Sequence, residues 1–163
     1  MDPAFLKKVK LFKDLTQDEL KIISALLSIR KFRKGETIIT EAEEGDEMYI
    51  LHEGEVEISR QMSMIDEQEK IDKTFVRLKA ANADHFGEVG LLGKQKRTAS
   101  CKAVTDCQLY CLKHCDFQVI SHKYPQISTK ILMEIASHLA ETLEKTNQDI
   151  LKLTTALIYA LKG

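Results

Sequence analysis

Between His85 and Ser100 the chain reads HFGEVGLLGKQKRTAS, and these sixteen residues hold three glycines, a single acid and a cluster of bases. Arg97 contributes a permanent positive charge on a planar fork that matches two oxygens of an anion, and Thr98 adds a hydroxyl donor. EVGLL, residues 88–92, has the composition of one short helical turn. The leading amides of such a turn are unpaired and present partial positive charge to an anion. Gly87 has no Cβ to obstruct a ligand approaching the backbone, and Phe86 is expected to anchor the end of a strand in the core.

Glu88 is the odd member, because a carboxylate beside an anion repels it. It fits if the ligand also offers a hydroxyl close by, as a sugar does; in nucleotide sites an acidic side chain accepts from the ribose 2′-OH. Anion cradle, arginine and glutamate together describe a nucleotide whose phosphate and sugar hydroxyl lie near one another, the geometry of a 3′,5′-cyclic nucleotide. A different reading of the same residues is a surface ion pair between Glu88 and Arg97 with no ligand at all.

Three zones must position these residues. Residues 1–30 read as helical: Thr16 followed by Glu19 makes a capping box, and Leu20, Ile23 and Leu27 recur at helical spacing. Residues 31–114 are β-rich and punctuated by glycine. Val56 and Ile58 alternate with Glu55, Glu57 and Ser59, as on a strand with one wet face. Many short strands with regular turn signals predict a small antiparallel barrel or sandwich. QMSMIDEQEKIDK, residues 61–73, lacks that alternation and is expected to be an exposed hairpin loop. Residues 115–163 are helical again. Ala136, Leu139, Leu143, Thr146, Ile150, Leu153, Leu157 and Ala160 are spaced by three and four, an a/d seam over more than three heptads. One long helix laid across the barrel could use this stripe as core, but a single barrel cannot cover all of it. Part is therefore expected to meet a second copy of the chain.

Composition narrows the function. With 24 bases against 25 acids in 163 residues the formal charge is −1, and no basic excess points to nucleic acid. No apolar run reaches membrane-spanning length, and MDPAFLKKVKLFKDL has no signal-peptide core, so a cytoplasmic protein is expected. Cys101, Cys107, Cys111 and Cys115 lie too evenly spaced for the paired ligands of structural zinc and read as reduced thiols. The histidines are scattered, and ILHEGEVEI lacks the His-x-His of a metal-binding cupin barrel, so no metal is expected. HEGEVE and KKVKLFK read as solvated faces.

Phe86-Gly87-Glu88-Val89-Gly90-Leu91 followed by Arg97-Thr98-Ala99 resembles the phosphate-binding cassette, here residues 86–99, of the cyclic nucleotide-binding domain family. That family includes the catabolite activator protein, the regulatory subunits of cAMP-dependent kinase and the cyclic-nucleotide-gated channels. The resemblance covers nearly the whole chain: LFKDLTQDELKIISALLSIRKFRKGETII is similar to its leading helices and first strand, and YPQISTKILMEIASHLAETLEKTNQDI to its closing helices. Gly45, Tyr49, Ile50 and Gly54 fall where its turns and core strand belong. Ala83 departs from the family's usual glycine; its neighbour Asn82 tolerates positive φ, so the turn is expected to shift onto it. Gly90 stands where the kinase members carry alanine, as it does in the catabolite activator branch.

The resemblance implies one domain, residues 1–163, with a jelly-roll-like β-barrel flanked by N-terminal helices and a long C-terminal helix. It implies a non-catalytic sensor that binds cAMP or cGMP through Gly87, Glu88, Val89, Gly90, Arg97, Thr98 and Ala99, needs no cofactor, and signals through its last helix. A Thr at position 98 is compatible with either base; without other guanine-specific features, cAMP is expected over cGMP. Thr146 and Asn147 match the two polar residues with which the catabolite activator protein's dimer helix meets adenine, which implies a homodimer with a base reader on the seam. Catabolite-activator-like proteins continue into a helix-turn-helix; this sequence ends at IYALKG, as expected of a stand-alone sensor or an excised domain. Some family members have lost their ligand and act as protein-docking modules, which is the alternative function.

Overall fold

The computed structural model describes residues 2–63 and 70–162. Helix α1 (Pro3–Leu6), a 3-10 turn at Lys10–Phe12 and helix α2 (Gln17–Leu26) lead the chain. The strands that follow are β1 (Ser28–Phe32), β2 (Thr37–Ile39), β3 (Glu44–Gly45), β4 (Glu47–Glu53) and β5 (Glu55–Ser63). They continue as β6 (Lys70–Lys79), β7 (His85–Phe86), β8 (Gln95–Lys96), β9 (Ser100–Ala103) and β10 (Cys107–Lys113). Helices α3 (His114–Lys123) and α4 (Pro125–Lys162) close it.

The capping box forms as read. Glu19 N donates to Thr16 Oγ1 at 3.3 Å, and Thr16 N donates to the Glu19 carboxylate at 2.7 Å. Two antiparallel sheets, in the orders β1-β10-β4-β7 and β2-β9-β5-β6, share one core, and β3 pairs with β8 in a separate two-stranded ribbon. That core takes Ile39, Val56, Cys101 and Ala103 from one sheet and Tyr49, Leu51, Phe86 and Leu109 from the other.

Strands β4 and β10 are buried on both faces. Tyr49, Leu51, Leu109 and Cys111 point into the core between the sheets, while Met48, Ile50, Tyr110 and Leu112 join a second core with α1, α2, α3 and α4. Successive strand residues point to opposite faces, so a strand between two cores reads as the near-continuous apolar run MYIL.

The sheet extends beyond the expected loop at 61–73. Gln61 pairs with Asp72, Met62 with Ile71 and Ser63 with Lys70. Backbone ladder bonds carry these strands where side-chain alternation gives no signal; residues 64–69 lie outside the described residues. The expected shift of the turn onto Asn82 does not occur. Ala83 itself takes the left-handed conformation at φ +52°, with its amide bonded to Ala80 O at 2.9 Å and its methyl buried.

Helix α4 uses a different stripe to dock. Ile127, Ile131 and Ile135 are buried against the helical core, whereas Ala136 and the residues from 136 to 161 are exposed. The Ala136–Ala160 seam therefore does not serve as core for this chain; its leucines and Ile150 face outward.

Candidate functional site

The site begins where β7 ends. Phe86 pairs with Tyr49 of β4, and their rings stack at 5.5 Å and 25°. At Gly87 the backbone takes φ +76°, which turns the chain off the strand into a 3-10 turn, Glu88–Leu92. No side chain caps the start of this turn, whose Gly90 amide bonds to Gly87 O at 2.9 Å. Its other end is held by α3: His114 Nδ1 lies 2.7 Å from the Leu91 carbonyl, which can only accept, so Nδ1 carries the proton.

Arg97 lies just past the β3–β8 ribbon, its backbone fixed by Arg97 N to Glu43 O at 2.8 Å and Ala42 N to Arg97 O at 2.9 Å. Its guanidinium donates to Glu47 O at 2.8 Å and Gly87 O at 3.3 Å. Two carbonyls orient the fork without neutralising it. No carboxylate among the described residues pairs with it, so its charge stays available to an anion.

The glycines have a role that the sequence did not reveal. A Cβ on Gly45 would fall 2.1 Å from Arg97 Nε; one on Gly90 would fall 2.7 Å from Glu47 O and 2.9 Å from Arg97 Nη1. One on Gly87 would meet Arg97 Nη1 at 3.0 Å. Together the three clear a channel for the arginine. Gly87 was expected to open the backbone to a ligand, but the nearest group to its missing Cβ is this guanidinium.

Glu88 does not pair with Arg97. Its carboxylate, 13% exposed, lies 3.4 Å from Nδ1 of His138, a residue of α4. His85 stands beside this pair. Burial pushes its imidazole below the ordinary range and His138 adds to that, while the Glu88 carboxylate acts in the opposite sense.

Gly87, Glu88, Arg97, Thr98 and Ala99 line a cavity of about 500 Å³ together with Ile39, Ile58, Val76 and Leu78. A lining that joins a cation and hydrogen-bonding groups to apolar side chains suits a ligand with an anionic end and a flat apolar body. Cys101 also lines the cavity, and burial pushes its thiol up to about 12, so it is no thiolate at neutral pH.

Val89 and Gly90 are not part of this lining; Gly90 packs against Glu47 and Arg97 instead. Thr146 and Asn147 are exposed on α4 and do not line the cavity either. The Thr146 hydroxyl bonds back to Thr142 O at 2.8 Å. The lining also includes Lys8, Lys10 and His138, which sequence reasoning missed. For His138 a signal existed: it stands three residues beyond Ile135, on the face of α4 that docks. Among the described residues no group of three His, Cys, Asp or Glu side chains is placed to hold a metal ion. No helix of the described residues is long and apolar enough to cross a membrane.

Known proteins resemble this chain in sequence and in fold. The chain is 34% identical over 96 residues to a cGMP-dependent protein kinase of Drosophila melanogaster, covering 59% of this chain and 10% of the kinase. It is 31% identical over 100 residues to the cAMP-dependent protein kinase regulatory subunit of Debaryomyces hansenii, covering 61% of this chain and 20% of that protein. The chain thus spans a fifth or less of the length of these relatives. Among solved structures, the N-terminal domain of a Streptomyces coelicolor transcriptional regulator superposes with a TM-score of 0.74 at 25% identity, over 87% of this chain and 94% of that one. The Thermus thermophilus catabolite activator protein has the same fold, with a TM-score of 0.75 at 23% identity, over 89% of this chain and 63% of that one. Residues 29–124 match the cyclic nucleotide-binding domain, the span that carries both sheets, the turn after Gly87 and Arg97. The chain therefore belongs to the cyclic nucleotide-binding domain family.

Proposed function

We propose that this chain is a cytoplasmic, non-catalytic sensor that binds a 3′,5′-cyclic nucleotide, cAMP in preference to cGMP, and signals through α4. The observation that carries this reading is Arg97, held on two carbonyls, unpaired with any carboxylate among the described residues, and lining the same cavity as Glu88. The cyclic phosphate meets the guanidinium, Thr98 and the leading amides of the turn after Gly87. Glu88 accepts from the sugar hydroxyl, and the base rests on the apolar wall of Val76 and Leu78. Occupancy is transmitted to α4 because Glu88 touches His138 and Leu91 is held by His114, so both ends of the ligand turn are tied to the closing helices.

The exposed seam of α4 fits a parallel homodimer through Leu139, Leu143, Ile150, Leu153 and Leu157, with Thr146 or Asn147 reaching the base of a nucleotide from across the dimer. Thermal denaturation with each nucleotide tests the sensor. A ligand that binds only the folded state stabilises it by mass action, so both nucleotides raise Tm, cAMP more. Absence of any shift at about millimolar nucleotide, a hundredfold or more above a micromolar Kd, overturns the reading in favour of a ligand-free docking module. In competition calorimetry, cGMP binding tenfold tighter, a difference of about 1.4 kcal/mol, overturns the base preference.

A further inference from the structure

Among the described residues His138 is the sole residue of α4 in the wall of the cavity, and it meets the one carboxylate that the ligand's sugar would use. Its neighbours come from every element packed around it. Glu88 belongs to the ligand turn, His85 to β7, Lys10 to the N-terminal 3-10 turn and Glu134 to α4 itself, while Lys8, Asp84 and Arg97 line the same cavity. The other carboxylates are engaged elsewhere: Glu134 pairs with Lys13 at 2.7 Å, Asp84 accepts from Lys79 N at 2.8 Å, and Glu141, three residues further along α4, pairs with Lys10 at 3.4 Å. Glu88 is left as the carboxylate that faces the imidazole.

We propose that His138 is a positioning residue of the nucleotide site, whose protonated ring holds Glu88 in place for the sugar hydroxyl and makes nucleotide affinity depend on pH. This rests on the sensor reading above. A carboxylate has two oxygens and about four acceptor positions, so Nδ1 on Oε1 leaves Oε2 for the ligand. The imidazolium fixes the rotamer of Glu88 before the ligand arrives, and this lowers the ordering cost of binding. It also places a positive charge at the mouth of a pocket that takes an anion. Both effects have one sign: affinity is greater with the ring protonated, so it rises as pH falls. By reciprocity, nucleotide favours the protonated ring, and the proton joins α4 to the cassette.

Calorimetric titration of the full chain with cAMP and with cGMP, from about pH 5.5 to about pH 8.5, brackets the histidine range. Wild type is expected to bind about fivefold more tightly at the acid end, the lower end of ordinary coupling between sites. His138→Ala binds more weakly at acid pH and loses the slope. His138→Gln recovers part of the affinity through its amide, yet its profile is flat because it carries no proton to lose. Far-UV circular dichroism of each variant checks that the fold is kept. Clear binding with a flat wild-type profile overturns the proposal and leaves the sensor intact. A slope that survives in His138→Gln also overturns it, since the proton then belongs to His85 or another group. No binding of either nucleotide at any pH refutes the sensor reading itself, and this proposal with it.

Discussion

A Cβ built on Gly45 falls 2.1 Å from Nε of Arg97, closer than two unbonded atoms can stand, although the two residues lie on different strands of the β3–β8 ribbon or its margin. The glycine is there for the arginine. Gly45→Ala pushes the guanidinium off its place without touching the cores. It is expected to weaken nucleotide binding by about 2 kcal/mol, at the low end for losing a buried charge contact, while the urea midpoint stays within experimental scatter of wild type. Gly90→Ala differs, because its Cβ meets the Glu47 backbone at 2.7 and 3.0 Å. That strand cannot yield as a side-chain tip does, so the variant is expected to lose about 1–3 kcal/mol of stability, the usual cost of overpacking. Paired calorimetry and urea titration separate the two.

Arg97→Ala removes the permanent charge on the cavity wall and leaves Glu47 O and Gly87 O without this donor. The nucleotide Kd is expected to rise by about 2–5 kcal/mol of binding free energy. Arg97→Lys recovers only part, since an ammonium cannot span two carbonyls and a phosphate in one plane. Equal affinity for wild type and Arg97→Ala would show that the phosphate sits elsewhere.

The cysteines differ enough to be counted by reagent. Cys101 and Cys111 have thiols that burial pushes up to about 12, and Cys107 is buried as well. Cys115 is exposed at the start of α3. Among the four, only Cys115 is open to a reagent in the folded protein. Ellman titration of the native protein is expected to release one equivalent rapidly, and of the denatured protein all four. Fast labelling of Cys101 in the native state would mean that the cavity opens far more often than its packing implies.

Glu19 ties α2 to α4 and sets an acid limit on stability. Burial alone would raise its carboxyl, but the hydrogen bonds from Lys130 and from the Thr16 backbone outweigh this and hold it below the ordinary range. A carboxyl depressed in the folded state contributes stability fully above its unfolded value of about 4.3 and loses it as pH falls through the lower, folded value. Wild type should thus be more stable than Lys130→Met near pH 7, with the gap closing by about pH 3, below the unfolded value. A gap in urea midpoints that stays constant with pH would assign the effect to packing of the lysine stem.

Much of this fold was legible because its signals are local. The Thr16–Glu19 box, the turn EVGLL and the alternation around Val56 each depend on residues near in sequence, and each forms as read. The cassette residues were proposed by type, an arginine for a phosphate and a carboxylate for a sugar hydroxyl. What the sequence hid depends on distant contacts. That Gly45, Gly87 and Gly90 all make room for one arginine follows from the turn Glu88–Leu92 packing on both β4 and β8 while β3 pairs with β8, which no spacing reveals. The docking stripe Ile127, Ile131, Ile135 was masked by the more regular outer seam one residue away. The hairpin at 61–63 and 70–73 was hidden because backbone pairing needs no side-chain alternation.

The outer seam yields the last prediction. Ile135 is 2% exposed, whereas Ile150, Leu153 and Leu157 are 53%, 71% and 60% exposed, and the helix between them is unbroken. Its two halves should therefore respond differently to mutation. Ile135→Ala empties part of the helical core and is expected to cost about 2–5 kcal/mol of stability at any protein concentration. Ile150→Glu with Leu153→Glu leaves that core intact but places charges on the face offered to a second copy. Sedimentation should then report monomers, against the dimer proposed for wild type at about tens of micromolar. Thr146→Val, by contrast, removes a hydroxyl from the seam and should keep or tighten the dimer. It should weaken the nucleotide by about 1 kcal/mol, the net worth of one hydrogen bond, if the hydroxyl reads the base. Wild type sedimenting as a monomer with and without nucleotide would defeat both the dimer and the base-reading role of Thr146 and Asn147, because this chain's own α4 does not bring either residue into the cavity wall.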